Sequence, residues 1–180
     1  MAFAVSSCEG SEENSMILDS EEAMERLMAL YGREIKRLCC LQLGDWALAE
    51  DAAQETFVKA WRARASFRGA CSEKTWLTRI ALNCCRDMMR GSWLRRLDRR
   101  VTPEELPLAD PGRMPDPTLW QALSALPGRE REILLLRYYE ELSVGEIASM
   151  LSLPLNTVKS RLQRAKKKMK HRLEGWYFDE

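Results

Sequence analysis

Five of the seven prolines lie close together, between Pro103 and Pro117, and they divide the chain into two parts. Proline has no backbone N–H group and its φ is fixed, so it interrupts helices. This stretch is therefore predicted to be extended, and we interpret residues 96–116 as an interdomain linker. A chain of 180 residues is long enough for a small domain on each side of such a linker.

The part before the linker is predicted to be helical, because apolar residues recur at helical spacing and strand-like alternation is scarce. Three helices are expected, over about residues 20–43, 47–65 and 73–95. The inner side of the first is predicted to comprise Leu27, Leu30, Tyr31, Ile35, Leu38 and Leu41. That of the third comprises Leu77, Ile80, Ala81, Cys84 and Met88. These helices form a first domain over residues 20–95, and residues 1–19 are expected to be a disordered tail.

A second helical domain is predicted over residues 117–174, followed by a short tail at 175–180. Asp116 and Pro117 have the character of a helix cap and a first helical residue. A further helix is expected over about residues 129–139. The fold class predicted for the whole chain is therefore all-α, with two small helical domains.

The end of the second domain has the pattern of a helix-turn-helix, whose second helix can enter the DNA major groove. Ser143 and Glu146 have the spacing of a capping box, and a turn follows at 152–154 before a last helix over about 155–171. Its inner stripe is predicted to be Leu155, Val158, Leu162, Ala165 and Met169. Side chains suited to base edges and phosphates are Asn156, Thr157, Lys159, Ser160, Arg161, Arg164 and Lys167. A helical hairpin with a solvated basic face is the alternative.

The net charge of +1 conceals two basic patches. Residues 61–100 contain 11 basic and 3 acidic residues, and residues 155–172 contain 8 basic residues and no acid. Residues 1–60 are the opposite, with 5 basic and 12 acidic residues. Two basic patches on a nearly neutral chain indicate two contacts with a polyanion such as nucleic acid. Solvated helix faces remain the alternative.

Enzymatic and metal-binding functions find little support in the sequence. His171 is the only histidine, and there is neither a P-loop nor a dinucleotide-binding fingerprint. No catalytic residue, metal site or cofactor is therefore predicted. The adjacent cysteines Cys39–Cys40 and Cys84–Cys85 lack the spacing of a zinc site. They are interpreted as reduced thiols, one buried and one more exposed in each pair, with redox sensing as the alternative.

The sequence also lacks the signals of a membrane or secreted protein. No apolar run approaches the roughly 20 residues that cross a bilayer. The first 19 residues contain acids and no basic residue, unlike a secretory signal, which begins with basic residues. We therefore expect a cytoplasmic protein that does not insert into membranes.

Both predicted domains contain segments that resemble a known protein family. Residues 134–166, with the segment Asn156–Ala165, are similar to the DNA-binding domain of extracytoplasmic-function sigma factors, the promoter-recognition subunits of bacterial RNA polymerase. Residues 127–132 and 156–159 also resemble the output domains of two-component response regulators. The first domain favours sigma factors, because residues 49–62 resemble their polymerase-binding helix and residues 67–87 resemble their promoter-melting segment. A receiver domain would need alternating strands and an acidic pocket.

The resemblance implies two partners, core RNA polymerase and promoter DNA, and an anti-sigma factor as a third. The residues implied for the coiled coil of the polymerase largest subunit are Glu50, Asp51, Gln54, Glu55, Phe57 and Trp61. Those implied for the downstream promoter element are Phe67, Arg68, Ser72, Trp76, Arg79, Asn83 and Arg86. The basic last helix is implied for the upstream element. The runner-up is a stand-alone helix-turn-helix regulator that binds DNA without polymerase.

Overall fold

The computed structural model describes residues 21–96 and 117–177, and the side-chain surroundings of residues 21–90 and 118–173. The predicted N-terminal tail and residues 97–116 of the predicted linker lie outside the described residues. Within the described ranges the chain is helical and contains no strand, in agreement with the predicted all-α class. No helix among these residues is long and apolar enough to cross a membrane.

The N-terminal unit consists of three helices, as predicted. They are α1 (Glu21–Leu43), α2 (Trp46–Ala63), followed by a 3-10 turn (Arg64–Ser66), and α3 (Glu73–Arg96). Gly44 has a φ of +76° and ends α1, and Asp45 caps α2 by accepting a hydrogen bond from the Leu48 backbone N–H at 2.9 Å. Ser72 caps α3, because its Oγ accepts from the Thr75 N–H at 3.1 Å. Local capping chemistry thus sets where α2 and α3 begin.

The C-terminal unit contains the remaining helices. They are α4 (Pro117–Ser124), α5 (Gly128–Leu134), a π-helical segment (Leu135–Tyr139), α6 (Val144–Leu151) and α7 (Leu155–Tyr177). The capping box is confirmed: Ser143 Oγ accepts from the Glu146 N–H at 3.2 Å, and Glu146 Oε2 accepts from the Ser143 N–H at 2.8 Å. Ser152, with a φ of 52°, ends α6. The helix-turn-helix is therefore present, and α7 extends to Tyr177 rather than ending near residue 171.

Two residues predicted to face inward are exposed. Leu30 is 55% exposed and Leu155 is 44% exposed. Leu30 lies on the same side of α1 as Leu41, but the C-terminal unit covers this side only around Leu41. Leu155 is the first residue of α7 and precedes the turns that pack on the unit. Helical periodicity correctly predicted which side of each helix faces inward. It could not predict how far along that side the rest of the protein packs against the helix.

The predicted difference within each cysteine pair is wrong, because Cys39, Cys40, Cys84 and Cys85 are all buried. The helices that carry them are packed on more than one side. Cys40 lies near Asp45 at the start of α2, and Cys85 contacts Cys39 and lies near Glu132 of the C-terminal unit. Burial raises the pKa of Cys40 to about 11, so this thiol stays protonated at neutral pH and is a poor nucleophile.

Candidate nucleic-acid and partner interfaces

The predicted polymerase-binding residues form an acidic ridge along α2, defined by Glu50, Asp51, Gln54 and Glu55. Asp51 and Gln54 are exposed, and the two glutamates are half-buried. Lys36 Nζ lies 2.9 Å from Glu50 Oε2, and Lys59 Nζ lies 3.8 Å from Glu55 Oε1. These flanking lysines leave the centre of the ridge acidic. The ridge is therefore a surface that can meet a basic partner.

The two aromatic residues predicted to bind polymerase together with the ridge, Phe57 and Trp61, are buried and half-buried, respectively. Phe57 is only 8% exposed and belongs to the hydrophobic core. Trp61 is half-buried, and the Arg64 guanidinium carbon lies 3.9 Å from its ring centroid. In contrast, Val58 is 42% exposed and follows the ridge on α2. Phe57 thus holds α2 in place from inside, while Val58 adds apolar surface that sequence reasoning did not identify.

The residues predicted for downstream DNA lie around the start and along one side of α3. Arg68, Arg79 and Asn83 are exposed, and Arg86 is half-buried. Arg79, Asn83 and Arg86 are spaced by four and three residues, so they share one helix face. This face presents the exposed Arg79 guanidinium, the exposed Asn83 amide and the half-buried Arg86 guanidinium to a nucleic acid.

The aromatic residues near this face are largely packed within the protein. Phe67 is 3% exposed, and its ring centroid lies 5.0 Å from that of the half-buried Trp76. Ser72 is committed to capping α3. A base can reach the Phe67 ring only if the loop before α3 moves, whereas Trp76 is partly accessible.

The predicted recognition helix, α7, has the expected orientation. Val158, Leu162 and Ala165 are buried and hold the helix on its unit. The predicted readers turn outward: Asn156, Lys159, Ser160, Arg164 and Lys167 are exposed, and Thr157 and Arg161 are half-buried. A basic helix with a buried apolar stripe and an exposed polar face is suited to the major groove.

Some lysines on α7 already have partners within the protein. Lys168 Nζ lies 2.8 Å from Glu130 Oε2, and Lys166 Nζ lies 5.3 Å from the centroid of the Tyr138 ring. Lys167 is exposed between them. Among these three, Lys167 is therefore the lysine best placed for a phosphate contact.

Two charged residues that sequence reasoning missed lie inside the molecule, namely Arg131 and Glu132, at 8% and 5% exposure. Burial raises the pKa of Glu132, and the nearby cations of Arg86, Arg161 and Arg129 oppose this effect. Glu132 is thus close to an arginine predicted for each DNA element. The only sequence signal was their position next to the apolar run Ile133–Leu136.

A groove of about 480 Å³ lies between α1 and the C-terminal unit. Its walls are mainly apolar, and its cationic residues are Arg37, Lys166 and Lys170. Exposed apolar side chains at this groove are Leu119 and Tyr138, at 39% and 56% exposure. Exposed apolar surface and cationic side chains therefore meet at this groove.

Comparison with known proteins places both units in one family. Residues 27–97 match the family model for sigma-70 region 2, and residues 118–169 match that for sigma-70 region 4. The chain is 33% identical over 161 residues to the RNA polymerase sigma-H factor of Pseudomonas aeruginosa, covering 81% of this chain and 83% of that protein. It is 31% identical over 168 residues to the ECF RNA polymerase sigma factor SigW of Bacillus subtilis, covering 85% and 90%.

Solved structures share the fold. The sigma factor RpoE, in complex with the anti-sigma factor NepR from Bartonella quintana, superposes with a TM-score of 0.71 at 23% identity, covering 87% of this chain and 98% of that one. CnrH, in complex with the cytosolic domain of CnrY, gives a TM-score of 0.66 at 23% identity, covering 93% and 99%.

The two matched regions and these relatives define a promoter-recognition subunit of RNA polymerase. The chain belongs to the sigma-70 family of RNA polymerase sigma factors and is of the extracytoplasmic-function type. Sigma factors bind core RNA polymerase and promoter DNA and direct promoter-specific initiation, and they are not catalytic enzymes. A stand-alone regulator is not favoured, because region 2 accounts for the N-terminal unit.

Proposed function

We propose that the acidic ridge of α2 is where this sigma factor binds core RNA polymerase. The exposed carboxylate of Asp51 and the adjoining Glu55 face solvent next to the apolar surface of Val58. A basic helix of the partner would pair with these carboxylates and cover the apolar surface. The resemblance to sigma factors implies that this helix belongs to the coiled coil of the polymerase largest subunit. Trp61 extends the surface by one turn, and Phe57 supports it from the core.

The exposed face of α3 is proposed to engage the downstream element after the strands open. Arg79 and Arg86 would hold the backbone phosphates, and the Asn83 amide would bond a base edge. Trp76, Arg68 and the loop that ends at Ser72 would contact the flanking nucleotides, with Phe67 keeping Trp76 in position.

The outward face of α7 is proposed to read the upstream element in duplex form. Asn156, Arg161 and Arg164 have groups that bond adenine or guanine edges in the major groove. Thr157 and Ser160 would contact thymine methyl groups or phosphates, and Lys159 and Lys167 would contact phosphates. The observation that carries the whole proposal is this separation of one acidic ridge and two basic faces onto different helices.

An anti-sigma protein is proposed as a further partner, acting in the cytoplasm, where polymerase is found. The groove between α1 and the C-terminal unit would accept an acidic amphipathic helix of that protein. Leu119→Glu should reduce recovery of the anti-sigma protein with the tagged chain. Met28→Glu is the matched control, because Met28 is also exposed and apolar but lies away from the groove. Equal recovery with both variants would contradict this placement.

Promoter-specific transcription with core polymerase tests the function as a whole. The wild-type chain should direct initiation from its promoters, and core polymerase alone should not. The double variant Asp51→Arg, Glu55→Arg should fold normally but fail to co-purify with core polymerase and fail to support initiation. The control Glu21→Arg, Glu25→Arg makes the same charge change at the same spacing on exposed residues of α1. Undiminished co-purification of the ridge variant would refute the docking assignment.

A further inference from the structure

Gly32 lies in the middle of α1, yet neither the backbone nor the packing of the protein requires a glycine there. Its φ is outside the left-handed region, since the described glycines with a positive φ are Gly44 and Gly69. A β-carbon added at Gly32 would meet no atom of the described residues within 4 Å beyond its own part of the helix. Glycine in a helix interior is destabilising relative to alanine, because it loses more conformational freedom on folding. Gly32 therefore weakens α1 without making room for anything inside the protein.

The side of α1 that carries Gly32 borders the acidic ridge of α2. Met28, Gly32 and Lys36 are spaced by four residues, so they lie on one side of the helix. Lys36 Nζ lies 2.9 Å from Glu50 Oε2 and 4.5 Å from the centroid of the Trp46 ring, so this side faces the first turns of α2. A two-residue connection joins α1 to α2, and the two helices therefore run in opposite directions. The missing side chain leaves a notch beside the turn of α2 that follows Glu50.

Exposed apolar side chains lie near this notch on both helices. Met28 of α1 is 51% exposed, and Val58 of α2 is 42% exposed. Val58 follows Asp51 and Gln54 at spacings of seven and four residues, so it lies on the same side of α2 as the ridge. The surface shared by α1 and α2 thus combines carboxylates, two exposed apolar side chains and one position without a side chain. These features fit a partner helix that carries both basic and apolar side chains.

We propose that Gly32 is a close-approach position for the polymerase helix that binds the acidic ridge, so that this helix packs against α1 as well as α2. The inference rests on the proposed function of the ridge and adds a steric element to it. The distance between two packed helices depends on the side chains at the contact, and glycine permits the shortest distance. The ridge carboxylates select a partner by its charge, and the notch selects it by its shape.

The affinity of the whole chain for core RNA polymerase tests the notch. Gly32→Leu fills it with a side chain that favours helix formation, and should lower the affinity at least about tenfold, as overpacking of a fitted contact does. Gly32→Ala should lower the affinity less, while it raises the midpoint of thermal unfolding by about 1–4 °C. A gain in stability together with a loss of binding distinguishes a docking role for Gly32 from a structural one.

Gly145 provides the matched control. It is an exposed helical residue of the C-terminal unit, and a β-carbon there would meet only Ser143 Oγ, at 3.9 Å. Gly145→Ala and Gly145→Leu add the same atoms to a helix and should leave the affinity for core polymerase unchanged. Undiminished binding by Gly32→Leu would overturn the proposal, and so would an equal loss of binding from Gly145→Leu.

The ridge variant Asp51→Arg, Glu55→Arg separates a failure of this inference from a failure of the proposed function. If the ridge variant loses core polymerase while Gly32→Leu binds normally, the ridge is the docking site and the close approach at Gly32 is wrong. If both variants bind core polymerase normally, the docking assignment itself is wrong.

Discussion

The two basic helices of this sigma factor, α3 and α7, are held by the protein in different ways. On α7, a single buried stripe that includes Val158 and Leu162 anchors the helix, and its outward face carries no acid between residues 155 and 172. On α3, the basic face contains Asp87, and Arg86 at its edge is paired with Glu132 of the other unit. Most cations of α7 are therefore exposed, although Lys168 is paired with Glu130, whereas Arg86 of α3 is paired with a buried glutamate of the other unit.

This difference matches the two forms of DNA that the helices are proposed to bind. Duplex DNA has a regular shape, so a helix with side chains already in place can dock on it with little rearrangement. Opened DNA exists only after strand separation, so a site for it can remain partly covered until then. The predictions below test this contrast, from the largest expected effect to the smallest.

Removal of the buried cation that joins the two units should have the largest effect. Arg131→Met leaves the carbonyl groups of Gln42, Ser124 and Leu126 without this donor and should lower the free energy of unfolding by about 3 kcal/mol or more, because each buried acceptor left unsatisfied costs about 1–3 kcal/mol. Arg129→Met, at the exposed neighbouring arginine, should change it by less than about 0.5 kcal/mol. Urea unfolding followed by circular dichroism measures both. Similar small changes would mean that the contact between the two units is not a stable feature.

Substitution of a base reader on α7 should have the next largest effect. Arg161→Ala should cost about 1–3 kcal/mol of discrimination at particular positions of the upstream element, if its guanidinium bonds a base edge. Gln163→Ala, on an exposed residue of the same helix, should leave base preference unchanged. Holoenzyme binding to single-base variants of the element provides the measurement. A uniform loss across all variants would make Arg161 a phosphate contact instead.

The lysines of α7 should differ according to their partners within the protein. Lys167→Ala should weaken binding to all sequences and reduce the slope of log affinity against log salt by about one. Lys168→Ala should reduce the slope less, because Lys168 is already paired with Glu130 at 2.8 Å. A salt titration of holoenzyme binding compares the two variants. An equal reduction would show that the Glu130 pair yields to phosphate.

The smallest effect concerns the buried carboxylate near Arg86. Because the pKa of Glu132 is raised in the folded state, its protonation favours folding. Its favourable contribution is fully present below the ordinary glutamate value of about 4.3 and is lost as pH rises through the raised pKa. Glu132→Gln should therefore change stability at pH 5 by no more than about 1 kcal/mol and become more favourable, relative to wild type, at pH 7. Urea unfolding at both pH values tests the sign. A relative loss at pH 7 would show that the ion pair is net stabilising.

Features that depend on nearby residues could be predicted from the sequence. The Ser143–Glu146 capping box joins residues three apart, and the inner residues of α7 follow its own period. Exposure of Leu30 and burial of all four paired cysteines depend on which turns the other helices cover, so helical periodicity could not give them. Arg131 was missed for the same reason, because its partner Gln42 is 89 residues away in the chain.

A randomised promoter library tests the central claim, that α7 and α3 read two separate promoter elements. Holoenzymes containing the wild-type chain, Arg161→Ala or Asn83→Ala would transcribe the library, and sequencing would recover the templates that support initiation. We predict two separated blocks of base preference for the wild type. Arg161→Ala should relax the upstream block alone, and Asn83→Ala the downstream block alone. If both variants changed the same block, or if neither changed any preference, the assignment of the two helices to different elements would be contradicted.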